Sequence, residues 1–462
     1  MLHPSQVRDF PQAGAVRPTG SGTKTLHGLG LQPSFFPSNV EVEPTGLKRV
    51  AFFLLCVYIV SNLANDWALR LFGGRAYLSL VAGIALPLAC LGTGSVLRGI
   101  GPSVGKWWLA FIAWAVLSIP FSSWPGGTVA VIREFLTKNA LIYLYATASV
   151  ITVRQCRTLF YVNAFGGLTV ILASIVFGDA SSGRLLIPDS IFFDNSNDLA
   201  LQLLISASFL GFMLFSSRKL VKVVGAVLFA MALLYSFKTA SRANLLSIAF
   251  CFVGAVFVSR QRMKLLALGV VLAIVAALLI PSSQWARMVY VVVDSGSDKS
   301  AEEMDRDGDL GSQVERTYLL KRSLMDTLEN PIFGIGAGQF ANNLWAESKT
   351  TGARALSLGT HNTYTQVSSE MGLPALMFYL LILFGSLNLN RVLYKKTAGV
   401  PEMRDVSNMA FCLFLGTLAY ASSTFFHHVA YGRQLPTLSG MSAALWLAAN
   451  EKLKRLQLDS RG

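Results

Sequence analysis

Charge is what this sequence has least of. Only 14% of its 462 residues are Asp, Glu, Lys or Arg, against about 25% in an ordinary soluble domain, while 53% are hydrophobic and the mean hydropathy is +0.51. That shortage excludes a soluble globular fold and leaves a chain whose solvent is lipid. Acidic residues are the scarcer sign, 25 against 39 Lys and Arg. The net charge of +14 would suggest nucleic acid in a soluble protein, but here the placement of the basic residues matters more than their sum. Cysteine is also rare. Cys56, Cys90, Cys156, Cys251 and Cys412 fall in apolar blocks or at their ends, so no disulfide framework is implied.

What is present is apolar sequence in about twelve blocks, each close to the roughly 20 residues that a helix needs to cross a bilayer. They begin near Leu47, Ala76, Gly105, Thr128, Arg157, Asn197, Lys219, Ala243, Met263, Gly372, Asn408 and Pro436. The expected fold is an all-α polytopic membrane protein of about twelve transmembrane helices, with one large outer loop before the tenth. Lys48 and Arg49, Arg98 and Lys106, Arg154 and Arg157, Arg218 to Lys222, Arg260 to Lys264, Arg391 to Arg404 and the final Lys452 to Arg455 occupy alternate connections. The positive-inside rule makes that side cytoplasmic, with both termini inside. Residues 1–46, rich in Pro, Gly and Ser, read as a disordered cytoplasmic tail. The first span reads as an uncleaved signal anchor. Spans one to nine then occupy 47–281, spans ten to twelve 372–450, and a cytoplasmic tail 451–462.

Residues 282–371 form an extracytoplasmic loop of about 90 residues, a length that inside a compact fold is usually functional or disordered. It opens with the acidic, turn-rich DSGSDKSAEEMDRDGDLGS, where Asp305, Asp307 and Asp309 fail the calcium-loop pattern and read as a solvated turn. QVERTYLLKRSLMDTLEN follows, with Val314, Tyr318, Leu319, Leu324 and Leu328 at amphipathic helical spacing, ended by Asn330 and Pro331. This helix is expected on the membrane surface or against the bundle. GIGAGQF matches no nucleotide fingerprint and reads as a tight turn. In THNTYTQVSSEMGLP a short helix starts at Thr360 or Asn362 and stops at Gly372, with Pro374 in the first turn of the next span. Tyr364, Val367 and Met371 share its apolar face, and His361, Thr365 and Ser368 its polar one.

His361 is the first chemical candidate, because imidazole accepts a proton near neutral pH; the bland alternative is a residue that caps a helix end. Glu370 reads as a structural or orienting carboxylate. Arg133, Arg184 and Arg242 sit near predicted span ends, where an arginine is either an interfacial anchor or a ligand for an anion. Near lipid, that anion would be a lipid phosphate or diphosphate, which guanidinium pairs bidentately. Asn195 and Asn197, in FFDNSNDLA, either cap a helix or touch a ligand. Asp66 is a possible carboxylate base with no evident partner, ranked below His361.

The motifs FFDNSNDLA, ASR at Ala240 to Arg242, NPIFGIGAGQF and HNTYTQVSSEMGLP together resemble the O-antigen ligase and O-antigen polymerase superfamily. The resemblance runs from about Leu47 to the last span and is tightest from Glu329 to Leu389. It implies a C-type glycosyltransferase fold in the bacterial inner membrane, acting on its outer face upon a glycan carried by undecaprenyl diphosphate. By that resemblance His361, followed by Asn362 and Tyr364, matches the family's loop histidine. Arg242 matches its arginine at the outer start of a span, and Arg184 the arginine ahead of the N-x-N segment. These residues, with Arg133 as a further candidate, would neutralise the departing diphosphate while His361 deprotonates the acceptor hydroxyl, with inversion and no metal. The acceptor would be lipid A core for a ligase and the growing glycan for a polymerase. No soluble cofactor and no nucleic acid are implied. A transporter and a noncatalytic scaffold are the readings from other classes; the crowding of polar residues at the outer edge disfavours the transporter.

Overall fold

The computed structural model describes residues 46–73, 77–181, 183–193, 195–279, 308–351 and 358–459. The expected N-terminal tail up to residue 45 lies outside them, as do Asp305 and Asp307. Among the described residues the fold is helical, without strands; Asp179 and Leu186 form an isolated antiparallel bridge.

The helices are α1 (Gly46–Leu63), α2 (Asn65–Phe72), α3 (Leu78–Gly92), α4 (Ser103–Leu117), α5 (Pro125–Glu134), which runs through a π-helical turn Phe135–Ala140 into α6 (Leu141–Ser149), α7 (Val153–Val176), α8 (Ser196–Phe212), α9 (Lys219–Lys238), α10 (Arg242–Val258) and α11 (Arg262–Leu279). After them come α12 (Gly308–Glu329), α13 (Phe340–Thr351), α14 (Thr363–Thr397), α15 (Arg404–Ser423) and α16 (Gln434–Asp459). Among the described residues six helical segments are long and apolar enough to cross a membrane: Gly46–Leu63, Val153–Val176, Ser196–Phe215, Lys219–Lys238, Thr363–Thr397 and Pro401–Ser423. Leu78–Gly92, Ser103–Leu117 and Arg242–Val258 are shorter apolar helices.

Lipid is as apolar as leucine, so close packing and internal polar links must hold such a bundle. Aromatic rings fill its centre: Trp108 lies 5.9 Å from Phe111 and 6.1 Å from Tyr143, and Phe111 5.9 Å from Tyr379. Polar links cross between helices. The Tyr379 and Tyr420 hydroxyls meet at 2.6 Å, Trp108 Nε1 donates to Ser439 Oγ at 2.9 Å, and Asn390 Nδ2 donates to Ser442 Oγ at 2.9 Å. Basic residues gather at one end of the bundle. There Arg157 pairs with Asp405 at 3.1 Å, Arg98 donates to the Val150 carbonyl at 2.8 Å, and Lys452 reaches the Glu402 carbonyl. The connections before α8, α10, α14 and α16 are at the opposite end, and they build the site.

Two expectations for the 308–372 region change. The amphipathic helix starts at Gly308, and its apolar side is mostly open: Tyr318, Leu324 and Leu328 are 46%, 45% and 78% exposed, and only Leu319 of the described apolar positions is buried. The inward side is instead Ser323, Asp326 and Thr327, because the partner it meets is polar too: the Thr327 and Ser368 hydroxyls are 2.8 Å apart. For the same reason the predicted polar face of the next helix is not open, since Thr365 and Ser368 are both buried.

The helix from Thr363 does stop where the sequence predicts. Gly372 is non-helical, at φ 81° and ψ 173°, and divides α14 into a polar first part and an apolar remainder. The Leu373 N–H donates to the Pro331 carbonyl at 2.8 Å, which ties the break to the end of α12, and Pro374 enters the next turn without needing a donor of its own. A Cβ on Gly372 would collide with the Ile332 carbonyl oxygen. Gly372→Ala is therefore expected to destabilise the protein by at least about 1–3 kcal/mol, the range for a strained left-handed residue. Thermal unfolding in detergent measures it, with Gly101→Ala, whose Cβ would make an ordinary 3.5 Å contact, as the near-neutral control.

Candidate active site

The polar part of α14 acts as a clamp. Its N-cap, Asn362, accepts from the N–H groups of Tyr364 and Thr365 at 2.9 and 3.1 Å. Thr363, Gln366 and Glu370 then follow at helical spacing on one face. Thr363 Oγ1 donates to the His427 carbonyl at 2.6 Å and accepts from the Val429 N–H at 3.0 Å. Gln366 Oε1 accepts from the Ala430 N–H at 3.1 Å. Glu370 is buried, and its Oε2 accepts from the Tyr431 hydroxyl at 2.6 Å and the Gly338 N–H at 2.9 Å. One carboxylate thus fastens both the glycine turn and the connection between α15 and α16.

The clamp brings three of the chain's five histidines together. His361 does not share a face with Thr365 and Ser368; it lies ahead of the cap in a left-handed conformation, φ 50°, which turns it off the helix. Its ring meets His428 edge to face, centroids 5.0 Å apart at 84°. Burial, then the nearby His428 and the positive charge of Arg316, push the His361 pKa down to about 4. It is therefore neutral at pH 7, with a lone pair free for a proton. His427 is 4% exposed and neither ring nitrogen has a hydrogen-bond partner. Burial first, and then His428, Arg316, His361 and Arg184, push its pKa to about 3. Arg184 is thus within electrostatic reach of His427.

The arginine side is built from helix starts. Arg184 Nη2 donates to Asn197 Oδ1 at 2.8 Å, and the Ser241 hydroxyl donates to the same oxygen at 2.8 Å. Ser241 is the N-cap of α10, so Arg242, its first residue, is held beside the network that orients Arg184. Asn195 caps α8 by accepting from the Asn197 N–H at 2.8 Å. Helix N-termini favour anions, and here two converge. An open pocket of about 570 Å³ lies at the start of α8, lined by Arg184, Leu186, Phe192, Asn195, Ser196 and Asp198 among others.

Arg133 is elsewhere, on an exposed position of α5. Tyr364 donates to the Ala421 carbonyl at 2.7 Å and braces α14 against α15. Sequence reading missed His427, His428, Tyr431 and Arg433, although two adjacent histidines and an arginine in HHVAYGR just before a span were signal enough. Arg433 packs its guanidinium 4.1 Å from the Phe192 ring, behind the pocket. Asp66 is not on an open loop: it starts α2, fully buried, and neither carboxylate oxygen has a hydrogen-bond partner. Among the described residues no group of three or more His, Cys, Asp or Glu is placed to hold a metal ion.

Residues 224–380 match a family model described as O-Antigen ligase. The match takes in Arg242, the clamp and His361, but not Arg184, Asn197 or the second histidine pair. No curated protein gives a significant match to the sequence.

Asn197 is the shared acceptor of the arginine side, since its one oxygen receives two donors. Asn197→Leu removes that acceptor while keeping the volume, which should cost about 1–3 kcal/mol of stability. Asn197→Asp keeps the acceptor and should restore most of the unfolding temperature; equal losses in the two variants would show that the network does not depend on this oxygen.

Proposed function

We propose that the chain, whose residues 224–380 match an O-antigen ligase family model, is a membrane glycosyltransferase that moves a glycan from an undecaprenyl-diphosphate carrier to a sugar hydroxyl of lipid A core. The observation that carries this reading is the Arg184–Asn197–Ser241 network at one end of the bundle, with Arg184 in electrostatic reach of His427 beside the His361–His428 ring pair. By the positive-inside rule the opposite, basic end is cytoplasmic. In this reading the chain spans the inner membrane about twelve times with both termini inside, and the site faces outward, where lipid-linked glycans are presented.

The division of charge suits the reaction. A diphosphate is a good leaving group once its negative charge is balanced, and Arg184 and Arg242 at two helix N-termini supply that balance. The acceptor hydroxyl is a poor nucleophile until its proton is taken as attack proceeds, and His361 is the neutral base. The acceptor O–H bond breaks as its oxygen bonds to the anomeric carbon. The bond from that carbon to the diphosphate oxygen opens on the opposite face, so the configuration inverts. The proton ends on His361 and the electron pair on the diphosphate.

In reconstituted protein with the native lipid-linked glycan, His361→Ala should lower transfer by about 10²–10⁴-fold, and EDTA should leave the wild type unchanged. Glycan appearing on lipid A core identifies a ligase, whereas a ladder growing on the carrier lipid identifies a polymerase. Full activity in a folded His361→Ala protein would sink the assignment of the base.

The pH profile is a separate test. His361 loses its lone pair only as pH falls through about 4, so kcat/KM should hold level from pH 7 down to about 5 and decline below that. A bound diphosphate opposes the positive charge of Arg316 and raises the pKa of the imidazole. The acid limb of kcat should therefore lie at higher pH than that of kcat/KM.

A further inference from the structure

His428 is placed with more care than a spacer residue needs. The turn that carries it is held from both sides, by Thr363 to the His427 carbonyl and the Val429 N–H, and by Gln366 to the Ala430 N–H. Its ring lies over Gly359, where a Cβ would come within 2.5 Å of His428 Cδ2, so the position is available only because residue 359 has no side chain. The ring stops 5.0 Å from that of His361, nearly perpendicular to it. His428 is exposed and His361 half-buried, whereas His427 beside them is sealed in. No hydrogen bond from the described residues engages either the His361 or the His428 imidazole. Each therefore turns an unspent nitrogen donor and acceptor toward the open side.

The chemistry of such a pair selects its ligand. A neutral imidazole offers one N–H and one lone pair, the complement of a hydroxyl, which also donates and accepts. A phosphate oxygen only accepts and prefers a cation, and the cations needed for it are already supplied around Arg184 and Arg242. Two imidazoles this close can each reach one of two adjacent hydroxyls on a single sugar ring. Desolvation also lowers the pKa of His428 from its ordinary value, which favours the neutral form.

We propose that His428 reads the acceptor: its imidazole hydrogen-bonds the hydroxyl adjacent to the one that His361 deprotonates, and so fixes which hydroxyl of the acceptor sugar is glycosylated. This rests on the transferase reading above and deepens it by assigning the acceptor side. His428 takes no part in the bond changes. It orients the acceptor so that the correct oxygen stands before His361.

The test pairs a protein change with an acceptor change. Full-length wild type, His428→Ala and His428→Asn in lipid are given the carrier-linked glycan and two forms of synthetic acceptor: the native sugar, and analogues lacking a hydroxyl on either side of the linkage position. In wild type, one deoxy acceptor should lose roughly two- to tenfold in kcat/KM, the net worth of one hydrogen bond. His428→Ala should lose a similar factor with the native acceptor and almost nothing more with that deoxy acceptor. His428→Asn, which keeps a donor and an acceptor, should recover part of the loss. Stray glycosylation at a neighbouring hydroxyl should appear in the alanine variant.

A full deoxy penalty retained in His428→Ala, or native rates in that variant, would overturn the proposal. Thermal unfolding separates a misfolded variant from an informative one, and the asparagine variant supplies the answer if alanine fails to fold. If wild type transfers glycan but the two changes simply multiply, this inference fails and the transferase reading stands. If folded wild type transfers nothing to any acceptor, the transferase reading itself fails.

Discussion

The site depends on a carboxylate that plays no direct part in its chemistry. Glu370 is buried and receives the Tyr431 hydroxyl and the Gly338 N–H on a single oxygen. It thereby fixes two connections that nothing in local sequence would hold together. Glu370 also sits two residues before the break at Gly372, so the same short helix that fastens the loops is anchored to the apolar run beneath it. In lipid, irregular backbone survives only where protein partners satisfy its polar groups. Here those partners are Thr363, Gln366 and Glu370, spaced along one helix face.

That spacing explains how much was legible. The cap at Asn362, the stop at Gly372 and the entry of Pro374 follow from local backbone preferences, which a sequence displays directly. So do the starts of α8 and α10 at their Asn195 and Ser241 caps. The face assignment for 361–371 failed for a different reason. Periodicity says which residues point together, not whether what they meet is water or another polar helix. Ser368 meets Thr327 of α12, whose own inward residues are Ser323, Asp326 and Thr327, while Val367 and Met371 are buried as well. Both faces of this short helix are therefore covered, and in α12 it is the polar side that is buried.

The histidine pair was hidden by separation along the chain. Thr363 binds the His427 carbonyl across 64 residues, and Glu370 binds Tyr431 across 61. No window of sequence shows that HHVAYGR faces HNTYTQ. Arg184 was partly visible because its partner Asn197 is only 13 residues away, within one recognisable motif. Arg133 looked equivalent by composition and proximity to a span end. Its exposed position on α5 gives it no described tie to the network around Asn197.

A transferase using a lipid diphosphate must meet two electrostatic demands that conflict in one small space. The leaving group needs positive charge, yet the base must stay unprotonated. Their separation onto different helix ends resolves this. Arg242 belongs to the start of α10 and Arg184, from the connection ahead of α8, is tied to the start of that helix through Asn197, while His361 and His428 belong to connections fastened by α14. Burial first, and then His428 and the positive charge of Arg316, hold the His361 pKa down. In the proposed transferase, arrival of an anionic donor would weaken the charge part of that suppression and make the imidazole a stronger base just when a hydroxyl must lose its proton. The coupling needs no moving part: the substrate's own charge adjusts the group that acts on it.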